Sequence, residues 1–244
     1  MGKLSASMHE MIEKSPNYWG FMSKQRNMVL LFCLVIIAAN SLQATQPSTN
    51  FAKFMSVLSA RYGASATQRG TEWQSALKKL ELLSVSEQLN GVNRFFNQAI
   101  RWQSDQEIYG ETDFWATPSE TIGLGRGDCE DFTIAKYFSL RQLGVPADQL
   151  RLTYVKLQMT GGRSQAHMVL AWYEKPGATP LILDNANARI LPASQRRDLR
   201  PVFSFTSDAL WIAGSQQNRN INPSSRLSQW RQMLNRAQAE GITL

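Results

Sequence analysis

The residues best suited to chemistry gather in the segment Gly125-Arg-Gly-Asp-Cys-Glu-Asp131. This glycine-rich stretch leads into a predicted helix over Asp128–Leu143, so that Cys129 lies in the first turn of that helix. Backbone N–H groups without partners and the helix dipole favour negative charge at such a position, which lowers the pKa of a thiol. The thiolate is a nucleophile, and the same N–H groups could hold an oxyanion during acyl transfer. The segment therefore predicts Cys129 as a nucleophile.

Three acidic residues, Asp128, Glu130 and Asp131, flank the thiol and oppose its ionisation because they crowd it with negative charge. An imidazolium partner would offset that charge, and so would a bound cation. Oxygen ligands from adjacent acidic residues suit calcium, which is a hard ion. Alternatively, Asp128 is the N-cap of the helix and the other two residues are favourable first-turn charges. The spacing alone favours the capping role over a calcium site.

The N-terminal part of the chain is predicted to be an export signal rather than part of the fold. Met28–Ala39 is a run of twelve apolar residues that follows two basic residues and precedes a polar stretch ending at Ala44. This order is typical of a secretory signal, and the run is too short to span a bilayer comfortably. A retained membrane anchor is the alternative. We therefore predict a signal peptide with an upstream leader over 1–44 and one exported domain over 45–244, without a stable membrane anchor after processing.

The composition of the predicted exported domain is unusual in its reactive side chains. Without residues 1–44, Cys129 is the sole cysteine and His167 the sole histidine. A single cysteine excludes an internal disulfide, and zinc sites built from several cysteine and histidine ligands are also excluded. The whole chain has a net charge of +7, but its basic residues are dispersed, which argues against a nucleic-acid-binding surface.

His167 and Asp184 occupy positions that could complete a catalytic site with Cys129. His167 begins an apolar run that ends at Tyr173, and Asp184 ends the run that begins at Leu181, so that both lie at the ends of predicted strands. A carboxylate beside an imidazole fixes its tautomer and stabilises its charged form. The alternative is that His167 is a strand-edge residue and Asp184 a turn former. Because the sole cysteine and the sole histidine both suit catalysis, the sequence favours a Cys-His-Asp triad.

The pattern along the chain places helices first and strands second, which indicates an α+β fold with an antiparallel sheet packed on the central helix. Residues 103–127 lack periodicity and are predicted to form a long loop. The predicted helices are Phe51–Tyr62, Thr71–Leu83, a third that starts near Ser86 and includes Ile100, the central helix, and Ser224–Glu240. The predicted strands are Leu150–Gln158, His167–Tyr173, Leu181–Asp184 and Pro201–Thr206.

The order Cys, His, Asp, with Gly-Asp-Cys-Glu-Asp at a helix start and Leu-Asp-Asn on a strand, resembles the bacterial transglutaminase-like cysteine proteases, and among them the periplasmic adhesin proteases. The similarity extends from about Trp73 to Trp211 and is densest in Arg126–Asp131, Ala166–Leu170, Leu183–Asn185 and Asp198–Phe205. The resemblance implies a papain/transglutaminase-like fold. It also implies Cys129 as the nucleophile, His167 as the general base and acid, and Asp184 as the carboxylate that orients His167.

The resemblance further implies calcium at Asp128, Glu130 and Asp131, against the preference from spacing alone. It implies a periplasmic endopeptidase that cuts the N-terminal region of a large surface adhesin at a di-alanine-type site, so that the adhesin is released and the biofilm disperses. The implied inhibitory partner is an inner-membrane cyclic-di-GMP receptor. Two other classes stay open: a transglutaminase, which transfers the acyl group to an amine, and a non-catalytic binding module on the same fold.

Overall fold

The computed structural model describes residues 47–206, 210–212 and 228–244, and the predicted signal peptide lies outside this part of the chain. The described residues combine helices with an antiparallel sheet, as the sequence predicts for an α+β fold. Among the described helices, none is both long and apolar enough to cross a membrane.

The described helices and strands alternate in an order that places the sheet mainly in the second half of the chain. The helices are α1 (Phe51–Tyr62), α2 (Ala64–Leu80), α3 (Val85–Ala99), α4 (Asp105–Ile108), α5 (Pro118–Leu124), α6 (Cys129–Gln142) and α7 (Ser228–Ala239). The strands are β1 (Ser48–Thr49), β2 (Arg101–Trp102), β3 (Arg126–Gly127), β4 (Leu150–Gln158), β5 (Ser164–Trp172), β6 (Leu181–Leu183), β7 (Leu191–Pro192), β8 (Leu199–Phe205), β9 (Leu210–Ile212) and β10 (Ile242–Thr243).

The central helix α6 is the predicted one, because Asp128 is its N-cap and Leu143 its C-cap. Every residue from Asp131 to Leu140 is buried, as expected for a helix enclosed on all sides by the core. The helix packs on β5 and β4 and is covered by α3 and α5. Cys129 is therefore fixed to a helix that the core encloses.

The main sheet has the order β7-β6-β5-β4-β8-β9, with every neighbouring pair antiparallel. Alternating residues on a strand point to opposite faces, and Met168 and Leu170 of β5 belong to the core that contains α6. Val169 belongs to a second, smaller apolar cluster on the other face. By the same alternation His167, which lies opposite Val155 of that second cluster, belongs to the face of Val169.

Several predicted boundaries are wrong. The second helix begins at Ala64 rather than Thr71, because the residues before Thr71 continue the same helical turn pattern from Gly63. The third begins at Val85, with Ser84 as N-cap, since Ser84 and Glu87 form a capping box. The strand predicted to start at His167 begins instead at Ser164.

The predicted long loop over 103–127 is also wrong in detail. It contains the short helices α4 and α5 and the strand β3. Both helices begin with a capping box, formed by Ser104 with Glu107 and by Thr117 with Glu120. These signals span too few residues to produce a visible hydrophobic period, which is why the segment looks irregular in the sequence.

Candidate active site and acidic cluster

Asp128 caps the helix that carries Cys129. Its carboxylate accepts a hydrogen bond from the backbone N–H of Glu130 at 3.1 Å, and the Asp131 carboxylate accepts one from the N–H of Asp128 at 3.2 Å. This reciprocal pattern satisfies N–H groups that the helix itself leaves without partners. The capping role that the spacing favours for Asp128 is thus present in the structure.

The approach to Cys129 is held by a short parallel pair between β2 and β3, in which Trp102 lies opposite Gly127. The N–H of Gln103 donates to the carbonyl of Gly127 at 2.9 Å. A Cβ atom on Gly127 would lie 2.6 Å from the Asp131 carboxylate, so only glycine fits this close approach. The glycine of the motif therefore lets the capping carboxylate pack against the strand that leads to the nucleophile.

The environment of the thiol opposes its ionisation in the absence of a cation. Burial, followed by the charges of Glu130 and Asp128, raises the pKa of Cys129. A hydrogen bond from the backbone of Met168 lowers that pKa by a smaller amount. The Sγ atom donates to Glu130 Oε2 at 2.6 Å. The lowering of the pKa expected from the helix start is therefore outweighed, and the thiolate needs a nearby positive charge.

His167 and Asp184 are in direct contact. His167 Nε2 lies 2.8 Å from Asp184 Oδ1, and both side chains are almost completely buried. The N–H of Ala186 donates to the same oxygen at 2.9 Å, and Asn97 donates to the Asp184 carbonyl at 2.8 Å. The backbone of Met168, which follows His167 directly, hydrogen-bonds the thiol, so Cys129 lies beside the strand that carries His167.

A buried arginine that the sequence analysis missed also contacts Asp184. Arg196 Nη2 donates to Asp184 Oδ2 at 2.8 Å. Burial raises the pKa of Asp184, but the hydrogen bond and charge of His167, together with the Ala186 N–H and Arg196, bring that pKa down to about 2. Asp184 is therefore an anion near neutral pH.

A second group of carboxylates, which we call the acidic cluster, comprises Asp105, Asp128, Glu130 and Asp131. One oxygen each of Asp105, Asp128 and Asp131 lies within 4.8 Å of the others, and Asp128, Cys129 and Glu130 form a second such group. Asp105 is the member that the sequence analysis missed. It starts α4, inside the segment predicted as a loop, and no spacing rule connects it with residues so much later in the chain.

The acidic cluster has the properties of a cation site. Asp105 is 3% exposed, and its Oδ1 atom is buried without a hydrogen-bond partner among the described residues. Burial, followed by the charges of Glu130 and Asp131, raises the pKa of Asp128 to about 10, and burial also raises the pKa of Asp131 and Asp105. No cationic side chain is among the groups that shift the pKa values of Asp105, Asp128 and Asp131 most. Hard oxygen donors grouped in this way fit a divalent cation such as calcium.

A cleft of about 540 Å³ opens beside His167. Its walls include Trp102 and Met159, which are 59% and 43% exposed, and its lining continues through Ala186 and Arg196. The exposed aromatic and thioether groups provide apolar surface next to the imidazole, so the cleft could accept an extended chain segment.

The comparisons with known proteins agree with this geometry. A family model for bacterial transglutaminase-like cysteine proteinases (BTLCP) matches residues 44–198. Among solved structures, EGTA-treated LapG of Legionella pneumophila is 41% identical, with a TM-score of 0.67 over 78% of this chain and 98% of that chain. Calcium-bound LapG of the same organism is 40% identical, with a TM-score of 0.66 over 76% of this chain and 98% of that chain. No curated protein matches the chain.

Proposed function

Because the chain belongs to the bacterial transglutaminase-like cysteine proteinases, we propose that Cys129, His167 and Asp184 cleave peptide bonds by acyl transfer to water. The observation that carries the proposal is the buried contact of 2.8 Å between His167 Nε2 and Asp184 Oδ1, next to a thiol held at a helix start. A structural histidine has no need of a buried anion that is itself held by an arginine.

The residues perform defined steps. The Asp184 carboxylate accepts a hydrogen bond from the Nε2–H group of His167. The other ring nitrogen, Nδ1, is therefore available to take the proton of Cys129. The sulfur attacks the carbonyl carbon, and the tetrahedral oxyanion collapses as His167 returns its proton to the departing amine. A water molecule, deprotonated by His167, then attacks the thioester, which releases the acid product and restores the thiol.

The acidic cluster would hold calcium through Asp105, Asp128, Glu130 and Asp131. The solved LapG structures, one calcium-bound and one EGTA-treated, support this assignment, since they are 40% and 41% identical to this chain. Bound calcium would neutralise the negative field that raises the pKa of Cys129. This explains how a thiol between Asp128 and Glu130 can still act as a nucleophile.

We propose the N-terminal region of a large surface adhesin as the substrate, cut at a di-alanine-type site in the periplasm. Cleavage would release the adhesin and disperse the biofilm, and an inner-membrane cyclic-di-GMP receptor would restrain the enzyme by sequestering it. The open cleft beside His167, with apolar surface from Trp102 and Met159, supports an extended peptide substrate. Intact-mass measurement of the protein from the periplasm tests the predicted location. We expect the mass of a chain that begins after Ala44 or within a few residues of it.

The test of the activity is cleavage of purified adhesin N-terminal fragments in calcium. We expect Cys129→Ala and His167→Ala each to lose at least about 10³-fold in rate, because members of a triad act as one unit. The exposed Arg197→Gln is the control and should cleave like wild type. Mass spectrometry of the products separates the alternatives: two new termini indicate hydrolysis, whereas an isopeptide cross-link indicates a transglutaminase. Cleavage by Cys129→Ala at the wild-type rate would exclude the thiol mechanism.

A further inference from the structure

We infer that Arg196 is a positioning residue, which holds the Asp184 carboxylate in the orientation that His167 requires. The inference rests on the proposed function, since it assigns a role within the same catalytic site. Arg196 acts on the reaction only through Asp184 and His167.

The contacts of Arg196 form a relay that ends at the imidazole. Its Nη2 atom donates both to Asp184 Oδ2 and to Asp198 Oδ2 at 2.8 Å, and its Nε atom donates to Asp198 Oδ1 at 3.0 Å. The guanidinium is planar and presents its donors in a fixed fork, so the pairing with Asp198 sets the plane of Arg196. That plane in turn sets the direction from which Asp184 is held.

Asp184 needs such a support because its two oxygens have different tasks. Oδ1 accepts from His167 Nε2 and from the N–H of Ala186. Oδ2 accepts from Arg196, which is its hydrogen-bond donor among the described residues. Rotation of the carboxylate would turn Oδ1 away from the imidazole, and the bond to Arg196 opposes that rotation. A misplacement of about 1 Å at such a position can cost a factor of about 100 in rate.

The backbone around Arg196 fixes its place. It follows a short 3-10 turn, Ala193–Gln195, and lies between β7 and β8. Its N–H donates to the Ala193 carbonyl at 3.1 Å, and its carbonyl accepts from the Leu199 N–H at 3.0 Å. Arg196 is 3% exposed, so the guanidinium acts in a protein interior where solvent does not screen it.

The charged groups that face Asp184 are His167 on β5, Lys136 on α6, and Arg196 with its partner Asp198 before β8. Burial lowers the pKa of Lys136 to about 7, so this lysine loses its charge near neutral pH. Arg196 keeps its charge at all working pH values. It is therefore the cation on which the buried Asp184 anion can depend.

The test compares Arg196→Gln with Arg196→Lys and with Arg197→Gln, which removes the same charge from the exposed neighbouring residue. We expect Arg196→Gln to lower kcat by about 10- to 100-fold and to change KM by less than about threefold. Arg196→Lys keeps the charge but lacks the fork, and should recover part of the loss. The control should retain the wild-type kcat.

A double-mutant cycle separates positioning from general damage to the fold. In an Asp184→Asn background, Arg196→Gln should lower kcat by less than about threefold further, because its partner oxygen is already altered. A full 10- to 100-fold loss in both backgrounds would overturn the inference. So would a wild-type kcat for Arg196→Gln in a protein that still folds. If Arg196→Gln does not fold, Arg196→Lys takes its place as the test. A wild-type kcat for Arg196→Lys would show that the forked guanidinium is not needed to hold Asp184.

A spectroscopic readout does not depend on the substrate. The imidazole N–H that donates a hydrogen bond to Asp184 should give a downfield proton NMR signal, which is assigned by its loss in His167→Ala. We expect the signal in wild type and Arg197→Gln, and its loss or broadening in Arg196→Gln. An unchanged signal in Arg196→Gln would overturn the inference, whatever the rate at which that variant cleaves the fragments. If no fragment is cleaved by wild type, the proposed function fails while this signal still decides the role of Arg196.

Discussion

Two aspartates of the same site, the buried Asp184 and the half-buried Asp128, have opposite electrostatics. Asp184 and Asp128 both lie within the region of Cys129, and burial raises the pKa of each. Asp184 nevertheless has a pKa of about 2, because His167, Arg196 and the Ala186 N–H all favour its charged form. Asp128 has a pKa of about 10, because its strongest charged neighbours are the carboxylates of Glu130 and Asp131.

The difference indicates where each anion obtains its counter-charge. Asp184 has an internal one, supplied by a buried arginine that is itself paired with Asp198. The acidic cluster has no cationic group among the groups that shift its pKa values most, and under the proposed function a bound cation supplies its counter-charge. The half of the site that orients His167 therefore has its counter-charge within the folded chain. In the proposal, the half that surrounds the nucleophile needs a cation before the thiolate can form.

The largest expected effect comes from removal of that cation. We expect a calcium chelator to stop cleavage, and to lower the free energy of unfolding by about 3 kcal/mol relative to protein at a calcium concentration a hundred times its Kd. Asp128→Ala should lose cleavage in the same way, whereas Asp148→Ala, an exposed acidic residue, is the control. Magnesium should rescue poorly, because it requires tight octahedral geometry. Calorimetry that detects no calcium binding would reduce the acidic cluster to a helix cap.

The two halves should also respond to pH in opposite directions. The lowered pKa of Asp184 contributes stability that is present above the unfolded value near 4 and is lost as pH falls through about 2. The stability gap between wild type and Asp184→Asn should therefore shrink by about 2 to 3 kcal/mol as pH falls from 5 to 2. In chelator, the raised pKa of Asp128 has the opposite sign. Its stability is present below pH 4 and is lost as pH rises toward 10.

Denaturant unfolding of wild type, Asp184→Asn and Asp128→Asn over this pH range checks both slopes. Each neutral variant removes one titrating group, so the difference from wild type isolates that group from the rest of the chain. If the free energy of unfolding of metal-free wild type and of Asp128→Asn changes with pH in parallel, the charges of the acidic cluster do not raise the pKa of Asp128. That result would remove the contrast with Asp184.

Asp105→Asn should have an intermediate effect. The change keeps the size of the side chain but removes one charge from the buried carboxylate whose Oδ1 has no partner among the described residues. Fewer charged ligands weaken calcium binding, so we expect Kd to rise by about tenfold or more. Isothermal titration calorimetry measures this change, with the exposed Asp148→Asn as the matched control. An unchanged Kd would place Asp105 outside the cation site.

The contrast also explains what could be predicted from the sequence. Both ends of α6 were predictable because the N-cap and first-turn charges at its start and the glycine stop signal at its end are all local. The predicted transglutaminase-like fold is confirmed by the relatives. The structure pairs His167 with Asp184 and places Cys129 beside β5, and the roles of all three residues remain proposals.

The residues that the sequence analysis missed are those whose importance comes from distant contacts. Asp105 meets the acidic cluster, and Arg196 meets Asp184, only once α4 and the turn before β8 have folded against the core. The sequence predicted that the helix start lowers the pKa of Cys129 and that the acidic neighbours raise it, but the largest effect is burial of the thiol. The depth of the thiol depends on the fold, and no local pattern reports it.

The smallest expected effect concerns Asp198, which supports Arg196 from the solvent side. The Asp198 side chain is 39% exposed, and Arg196 holds its pKa below the ordinary value. A partly exposed ion pair contributes about 0.2 to 1 kcal/mol, so Asp198→Asn should lower kcat by no more than about fivefold. The asparagine still accepts from Nε, and the bond from Nη2 to Asp184 remains. A kcat for Asp198→Asn as low as that of Arg196→Gln would show that Asp198, not the buried charge, sets the position of Asp184.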